Sequence, residues 1–347
     1  MIRVAIVEDE PAEAERLQSL LARYSREKGV QFEVQTYTSA LTFLAEYNRT
    51  VDIVFMDIEL PDVNGMEISR RLRKQDAAVM IVFVTNMAQF AEQGRVEELT
   101  YETKAYATDG RTVTKRALVY LPYGYSEEEQ YDILYLLHGT GDDEEYWLRT
   151  NPYNKVMLDN LIYYGAIEPL IIVTPTFYVE DDCLGGLDPL TYSFKEELRR
   201  DLMPAAESAY LTYAESCDAE GFAASRSHRA FAGLSRGAVT TLHSVLNGCL
   251  DWFSRFGTFS GSRTPVSYFM ESIGSDAQKE LSIDYWYVAS GTFDFALPGQ
   301  IQDYKAVLAA EPRLRPGENT SFDVFPMRSH TMGNWHLALY NFLLAAF

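Results

Sequence analysis

Short apolar runs alternating with amphipathic stretches divide the first 94 residues. Residues 4–7, 32–36, 52–56 and 79–84 read as buried strands, and residues 11–28, 40–47 and 66–73 carry apolar positions at helical spacing. Strands alternating with helices of this length predict a parallel, doubly wound α/β sheet. From residue 96 the pattern changes. Residues 96–107 and 115–121 alternate apolar and polar positions on either side of Asp109-Gly110, which predicts a hairpin. Residues 133–137, 170–173, 229–232, 285–289 and 322–325 are further apolar strands, while 194–210 and 334–347 have helical spacing. The pattern predicts an α/β protein with a small domain over 1–94 and a larger one over 95–347.

Composition narrows the classes of partner. A chain of 347 residues with 47% apolar residues has ample material for a core. No run approaches the roughly 20 apolar residues of a membrane span. A net charge of −20 argues against nucleic acid or an anionic membrane as a partner of the whole chain. Cys183, Cys217 and Cys249 are widely spaced and imply neither a disulfide framework nor a metal cluster. The first ten residues enter a strand at once, without the basic, apolar and small-residue order of a signal peptide, so the chain as written is expected to be cytoplasmic.

In parallel sheets, function gathers at the carboxyl ends of the strands. In the first domain those ends offer Glu8, Asp9, Asp57 and Thr85. Three carboxylates converging on one edge suit Mg²⁺. The stretches Val-Ala-Ile-Val-Glu-Asp-Glu-Pro (residues 4–11), Val-Phe-Met-Asp-Ile-Glu-Leu-Pro-Asp-Val-Asn-Gly-Met-Glu (54–67) and Ile-Val-Phe-Val-Thr-Asn (81–86) resemble the receiver domain of response regulators, especially the LytTR type. That resemblance implies a flavodoxin-like sheet, with Asp57 as phosphoacceptor, Glu8, Asp9 and Asp57 as the Mg²⁺ ligands, and Thr85 as the switch hydroxyl. It stops before the family's fifth strand, and no lysine occurs between Lys74 and Lys104 to pair with a phosphoryl group. The expected outcome is a truncated receiver without a working phosphoswitch. Its run 80–84 becomes an apolar sheet edge, to be covered by the second domain or by another protomer in a homodimer.

The larger domain centres on Gly233-Leu234-Ser235-Arg236-Gly237, which follows the strand 229–232 and precedes a stretch able to form a helix. G-x-S-x-G at such a junction is a nucleophile elbow, with the serine held in a strained turn between glycines. The strand 133–137 runs into His138-Gly139-Thr140-Gly141, where a backbone N–H of Thr140 or Gly141 can pair with that of Arg236 as an oxyanion hole. His138 is read as orienting this loop, and Asp142-Asp143-Glu144-Glu145 as a solvated surface run. An α/β-hydrolase triad follows the chain order Ser, Asp or Glu, His. Ser235, Asp294 and His330 stand in that order, each after a strand. Asp284 precedes its strand, Asp303 lies in a helical pattern, and His336 falls inside the closing helix.

Together with residues 94–101, 119–125, 134–139, 169–175, 228–235, 291–294, His330 and Trp335, these motifs resemble the esterase D-like α/β hydrolases. Within them, the resemblance is to the feruloyl and acetyl-xylan esterases of carbohydrate esterase family 1. The resemblance implies hydrolysis of hydroxycinnamate or acetate esters of plant cell-wall polysaccharide without a cofactor, a feruloylated or acetylated oligosaccharide substrate, and often a secreted protein. Arg236 and Ala238 depart from the family's Gly-Leu-Ser-Met-Gly-Gly, and the segment 177–188 is particular to this chain and expected at the acyl site. Two other readings remain: a small acyl-ester hydrolase like S-formylglutathione hydrolase, and a phosphorylation-regulated signalling protein with the hydrolase half as output.

Overall fold

A computed structural model describes residues 1–58, 60–76, 79–84, 94–179, 186–262 and 278–347. The chain forms two compact units, Met1–Ala91 and Glu92–Phe347.

The first unit has strands β1 (Ile2–Val7), β2 (Phe32–Tyr37), β3 (Ile53–Asp57) and β4 (Met80–Val84) in the order β2-β1-β3-β4, all parallel. Parallel strands need crossovers, which the helices Pro11–Lys28, Ala40–Glu46 and Gly65–Gln75 supply. Their apolar faces cover both sides of the sheet: Ala40, Phe43, Ile68 and Leu72 on one, Ala14 with Leu17 and Leu21 on the other. Pro11 opens the first helix, where its missing N–H costs nothing, and Gly29 closes it at φ 67°. Strand β4 is an edge of this sheet.

The second unit is built on β5 (Arg95–Lys104), β6 (Thr112–Leu121), β7 (Asp132–Leu137), β8 (Leu170–Thr174), β9 (Arg229–Leu234), β10 (Arg255–Phe259), β11 (Tyr285–Gly291) and β12 (Thr320–Phe325). Their order is β12-β11-β10-β9-β7-β8-β6-β5; β5–β6 and β6–β8 pair antiparallel and the rest parallel. Strands β7, β8 and β9 are buried along nearly their whole length, as apolar strands covered on both faces must be. Two buried ion pairs sit inside this unit. Lys115 meets Glu197 at 2.7 Å, and Arg229 meets Glu207 at 2.7 Å, each with further hydrogen bonds that offset the cost of desolvation.

The second unit also departs from the sequence pattern, which did not mark the helix Tyr153–Tyr163. The helix expected from residue 194 begins at Leu187, because Pro189 falls in the first turn where a helix tolerates it. It passes through a π-type turn at Leu198–Leu202 and ends at Ala209. Strand β10 had no predicted counterpart. Among the described residues no helix is long and apolar enough to cross a membrane. Cys217 and Cys249 are free thiols, and burial pushes the Cys249 thiol up to about 12.

Candidate active site

Strand β9 ends at Leu234, and the helix Arg236–Thr240 starts at once, leaving one residue for the turn. That residue, Ser235, has φ 50° and ψ −111°, a strained conformation for a side chain with a Cβ. The glycines make room for it. A Cβ on Gly237 would lie 2.5 Å from the His138 carbonyl oxygen and 2.7 Å from that of Leu137. One on Gly233 would lie 2.5 Å from the Gly237 carbonyl carbon. Both neighbours are backbone, so neither collision can be relieved by moving a side chain. The Ser235 N–H donates to the Phe259 carbonyl (2.8 Å), which anchors the turn to β10.

Strands β11 and β12 bring the partners. The His330 Nε2 lies 3.0 Å from Ser235 Oγ, and its Nδ1 lies 2.9 Å from Asp294 Oδ1. Asp294 is buried, and burial pushes its carboxyl up. Hydrogen bonds from His330, Ser260 and the Ala296 N–H (2.9 Å) outweigh that effect and leave the carboxyl below its ordinary value. Asn334 donates to both Ser260 Oγ (2.8 Å) and Asp294 Oδ2 (3.3 Å), tying the closing helix Met332–Ala346 to the carboxylate. The imidazole itself is held between Phe295, at 4.2 Å between ring centroids, and the edge-on Trp335 at 5.0 Å. Ser260, Asn334 and Phe295 were not singled out from the sequence. A serine after an unrecognised strand and an asparagine in an apolar helix carry no local signal.

The loop after β7 covers the other side of Ser235. A Cβ on Gly139 would sit 2.6 Å from a Leu234 methyl and 3.2 Å from Ser235 Cβ, so the loop packs closely on the elbow. His138 is fully buried. Its Nδ1 meets the Gly139 carbonyl at 2.7 Å, its Nε2 meets Thr176 Oγ1 at 2.8 Å, and its ring packs on Phe177 and Tyr178. Burial lowers it to about 4, so it is a neutral brace. The Gly141 N–H donates to the Tyr178 hydroxyl (2.9 Å). Thr140, the residue before it, lines the cavity with Ser235 and Arg236. Arg236 is the first residue of its helix, where an N–H has no intrahelical acceptor. Its guanidinium turns away to Asp188 (2.8 Å) and Thr191 (3.4 Å).

The acidic run is not a simple solvated loop. Glu144 and Glu145 bind Arg116, and Asp142 is half-buried. Burial and the neighbouring Asp143 push the Asp142 carboxyl up to about 6. His336 bonds Asn154 (2.7 Å) and is lowered to about 4 by burial, far from a catalytic role. Asp303 accepts from Ser262 at 2.6 Å. The cavity above Ser235 measures about 310 Å³ and is walled by Thr140, Val239, Ser262, Phe295 and Gly299. Residues 180–185, within the segment expected at the acyl site, lie outside the described residues, as does Thr85.

In the first unit, ligand atoms of Glu8, Asp9 and Asp57 lie within 4.8 Å of one another. Burial, then Asp57 and Asp9, raise the Glu8 carboxyl to about 7 against the lowering hydrogen bond from the Glu10 N–H.

The esterase family model, described as "Putative esterase", matches residues 110–286, just over half of the chain. The chain belongs to this family. A response regulator receiver domain model matches residues 4–105 of the chain, running into β5, which the structure pairs with β6. Endo-1,4-beta-xylanase Y of Acetivibrio thermocellus is 38% identical over 196 residues, 56% of this chain but 15% of that protein. The chain thus spans a small part of the xylanase it matches. The feruloyl esterase module from Clostridium thermocellum, solved as a serine-to-alanine variant with sinapinate, superposes with a TM-score of 0.64 at 32% identity. That match covers 73% of this chain and 88% of the module's chain. The sensory transduction protein LytT of Bacillus cereus is 28% identical over 178 residues, 50% of this chain and 69% of that protein.

Proposed function

We propose that residues 95–347 are a serine carboxylesterase releasing hydroxycinnamoyl (feruloyl) or acetyl groups from plant cell-wall polysaccharide through an acyl-enzyme. The observation that carries this reading is the continuous line Ser235–His330–Asp294, opening on a cavity that Thr140 and Arg236 also line. The feruloyl esterase module that resembles the chain, bound to sinapinate, supports the aromatic acyl class.

The proposed steps follow from the placement of these groups. His330 Nε2 takes the Ser235 proton as Oγ bonds to the ester carbon, and the displaced electron pair moves onto the carbonyl oxygen. The Thr140 and Arg236 N–H groups receive that oxyanion. Collapse breaks the bond to the leaving oxygen, and His330 returns the proton to it. Water, deprotonated by the same imidazole, then attacks the acyl carbon; the bond from that carbon to Ser235 Oγ breaks, Oγ takes the proton back from His330, and the acid leaves. Asp294 stays ionised throughout, holding the tautomer with Nδ1–H and stabilising the imidazolium.

Kinetics on methyl ferulate, p-nitrophenyl acetate and S-formylglutathione test the substrate class. The expected kcat/KM is at least about tenfold higher for methyl ferulate than for S-formylglutathione, the size of effect a shaped pocket gives. The reverse ranking would transfer the protein to the small acyl-ester hydrolases.

For residues 1–94 the same proposal assigns Mg²⁺ binding by Glu8, Asp9 and Asp57. Three crowded carboxylates, with that of Glu8 raised by burial first and by Asp57 and Asp9 after it, fit a hard divalent cation that would neutralise their repulsion. Asp57 is the phosphoacceptor candidate, but the pairing lysine is missing, so cation binding is the function proposed. Saturating Mg²⁺ should raise the melting temperature by mass action, and Asp9→Asn should abolish the rise. A melting temperature indifferent to Mg²⁺ in the unsubstituted chain overturns this assignment.

A further inference from the structure

Three of the most exposed large apolar side chains of the second unit stand on the two loops that deliver the acid and the base. Phe293 is 70% exposed, Phe295 77% and Met327 57%. Exposed apolar side chains scattered singly are ordinary, but three of them gathered on two joined loops beside a catalytic centre mark a contact surface. The loops that carry them are tightly joined. The Thr292 N–H donates to the Phe325 carbonyl (3.0 Å), the Phe293 N–H to the Arg328 carbonyl (2.8 Å), and the Met327 N–H to Thr292 Oγ1 (2.8 Å). A Cβ on Gly291 would collide with the Arg328 carbonyl oxygen, so the close approach requires glycine there. Met327 is held at φ 57°, a left-handed conformation that an unbranched side chain adopts at a cost. A strained residue presenting a thioether to solvent beside two presented aromatic rings is a built surface.

Its place in the reaction follows from His330. The imidazole gives its proton to the departing alcohol, so the alcohol half of the ester must lie over His330 when the bond breaks. Phe295 packs on that imidazole and also lines the cavity next to Ser235. A leaving group longer than methanol therefore passes onto Phe295 first. Phe293 is two residues away across the buried Asp294, and the backbone of Met327 and Arg328 is bonded to Thr292 and Phe293 of the same loop. We infer that Phe293, Phe295 and Met327 form a leaving-group platform on which the sugar chain bearing the ester lies. The partner chemistry fits. Sugar rings present flat C–H faces that pack on aromatic and thioether groups, and a neutral glycan avoids the repulsion that an anionic partner would meet from a chain of net charge −20.

The inference rests on the esterase reading, and two ester substrates separate them. The full chain is assayed on methyl ferulate and on a feruloylated arabinoxylo-oligosaccharide, with Phe293→Ala, Met327→Ala, the double variant and Phe293→Trp. The quantity read is the ratio of kcat/KM for the oligosaccharide ester to that for the methyl ester. It should fall about tenfold in the double variant, through KM rather than kcat, as expected for losing an aromatic stacking contact. It should hold or rise in Phe293→Trp, which enlarges the ring face. A ratio unchanged within about twofold, or an equal fall on both esters, overturns the platform while leaving the esterase reading standing. An unsubstituted chain inert toward both esters overturns the esterase reading and the platform with it.

Discussion

Ser235→Ala is expected to lower kcat on methyl ferulate by about 10⁴- to 10⁶-fold. The substitution removes the one oxygen placed 3.0 Å from His330 Nε2 and aimed into the cavity. Its size follows from the covalent mechanism. Without Oγ no acyl-enzyme forms, and what remains is water attack assisted by the oxyanion donors alone. The fold should be indifferent, because the methyl of alanine meets the same φ 50° turn as serine and the bond to the Phe259 carbonyl is made by the backbone. Melting temperature and the ability to bind a hydroxycinnamate are therefore retained. A variant that turns over within an order of magnitude of the parent would remove Ser235 as the nucleophile.

Asp294→Asn is the second large effect, with an expected fall in kcat of about 10⁴-fold. Substituting the carboxylate by an amide keeps the volume but changes two things. The negative charge that steadies the imidazolium is gone. An amide that turns its N–H₂ toward His330 Nδ1 would also demand the opposite tautomer, which places the remaining proton on Nε2 facing Ser235. The other donors at this site favour that turn only in part: His330, Ser260, Ala296 and Asn334 all aim hydrogens at the carboxylate. The amide N–H₂ must face some of them, leaving buried donors opposed, so a loss of stability of about 1–3 kcal/mol should accompany the kinetic loss. Thermal unfolding beside steady-state kinetics measures both. A variant with normal kcat and lowered stability would make Asp294 a structural acid only.

The parallel four-stranded unit was readable because its strands are short apolar runs and its helices repeat every 3.6 residues, both local patterns, and Pro11 and Gly29 mark the ends of the first helix. Strand β10 was not. Arg-Phe-Gly-Thr-Phe is short, and a glycine at its centre weakens any strand signal. The reason for Gly257 appears only in the sheet, where a Cβ would lie 2.8 Å from the Ala232 Cβ of the neighbouring strand. Missing β10 also hid Ser260, which follows it and braces Asp294. In the same way, nothing local to Gly141 shows that Tyr178, 37 residues away, occupies its N–H.

The sequence by itself determined which residues could do the chemistry and in what order along the chain. A serine between glycines at a strand end, then an aspartate and a histidine after later strands, is a pattern of local turns, and local turns are written in neighbouring residues. Tertiary structure decided which of the candidates meet. Ser235 and His330 are 95 residues apart, and their hydrogen bond exists because β9, β10, β11 and β12 lie side by side in parallel with their carboxyl ends on one edge. It also decided what braces them, since Ser260, Asn334 and Phe295 reach Asp294 and His330 across loops and a helix. Contacts of that range depend on how the sheet stacks its strands, and no single stretch of the chain encodes that.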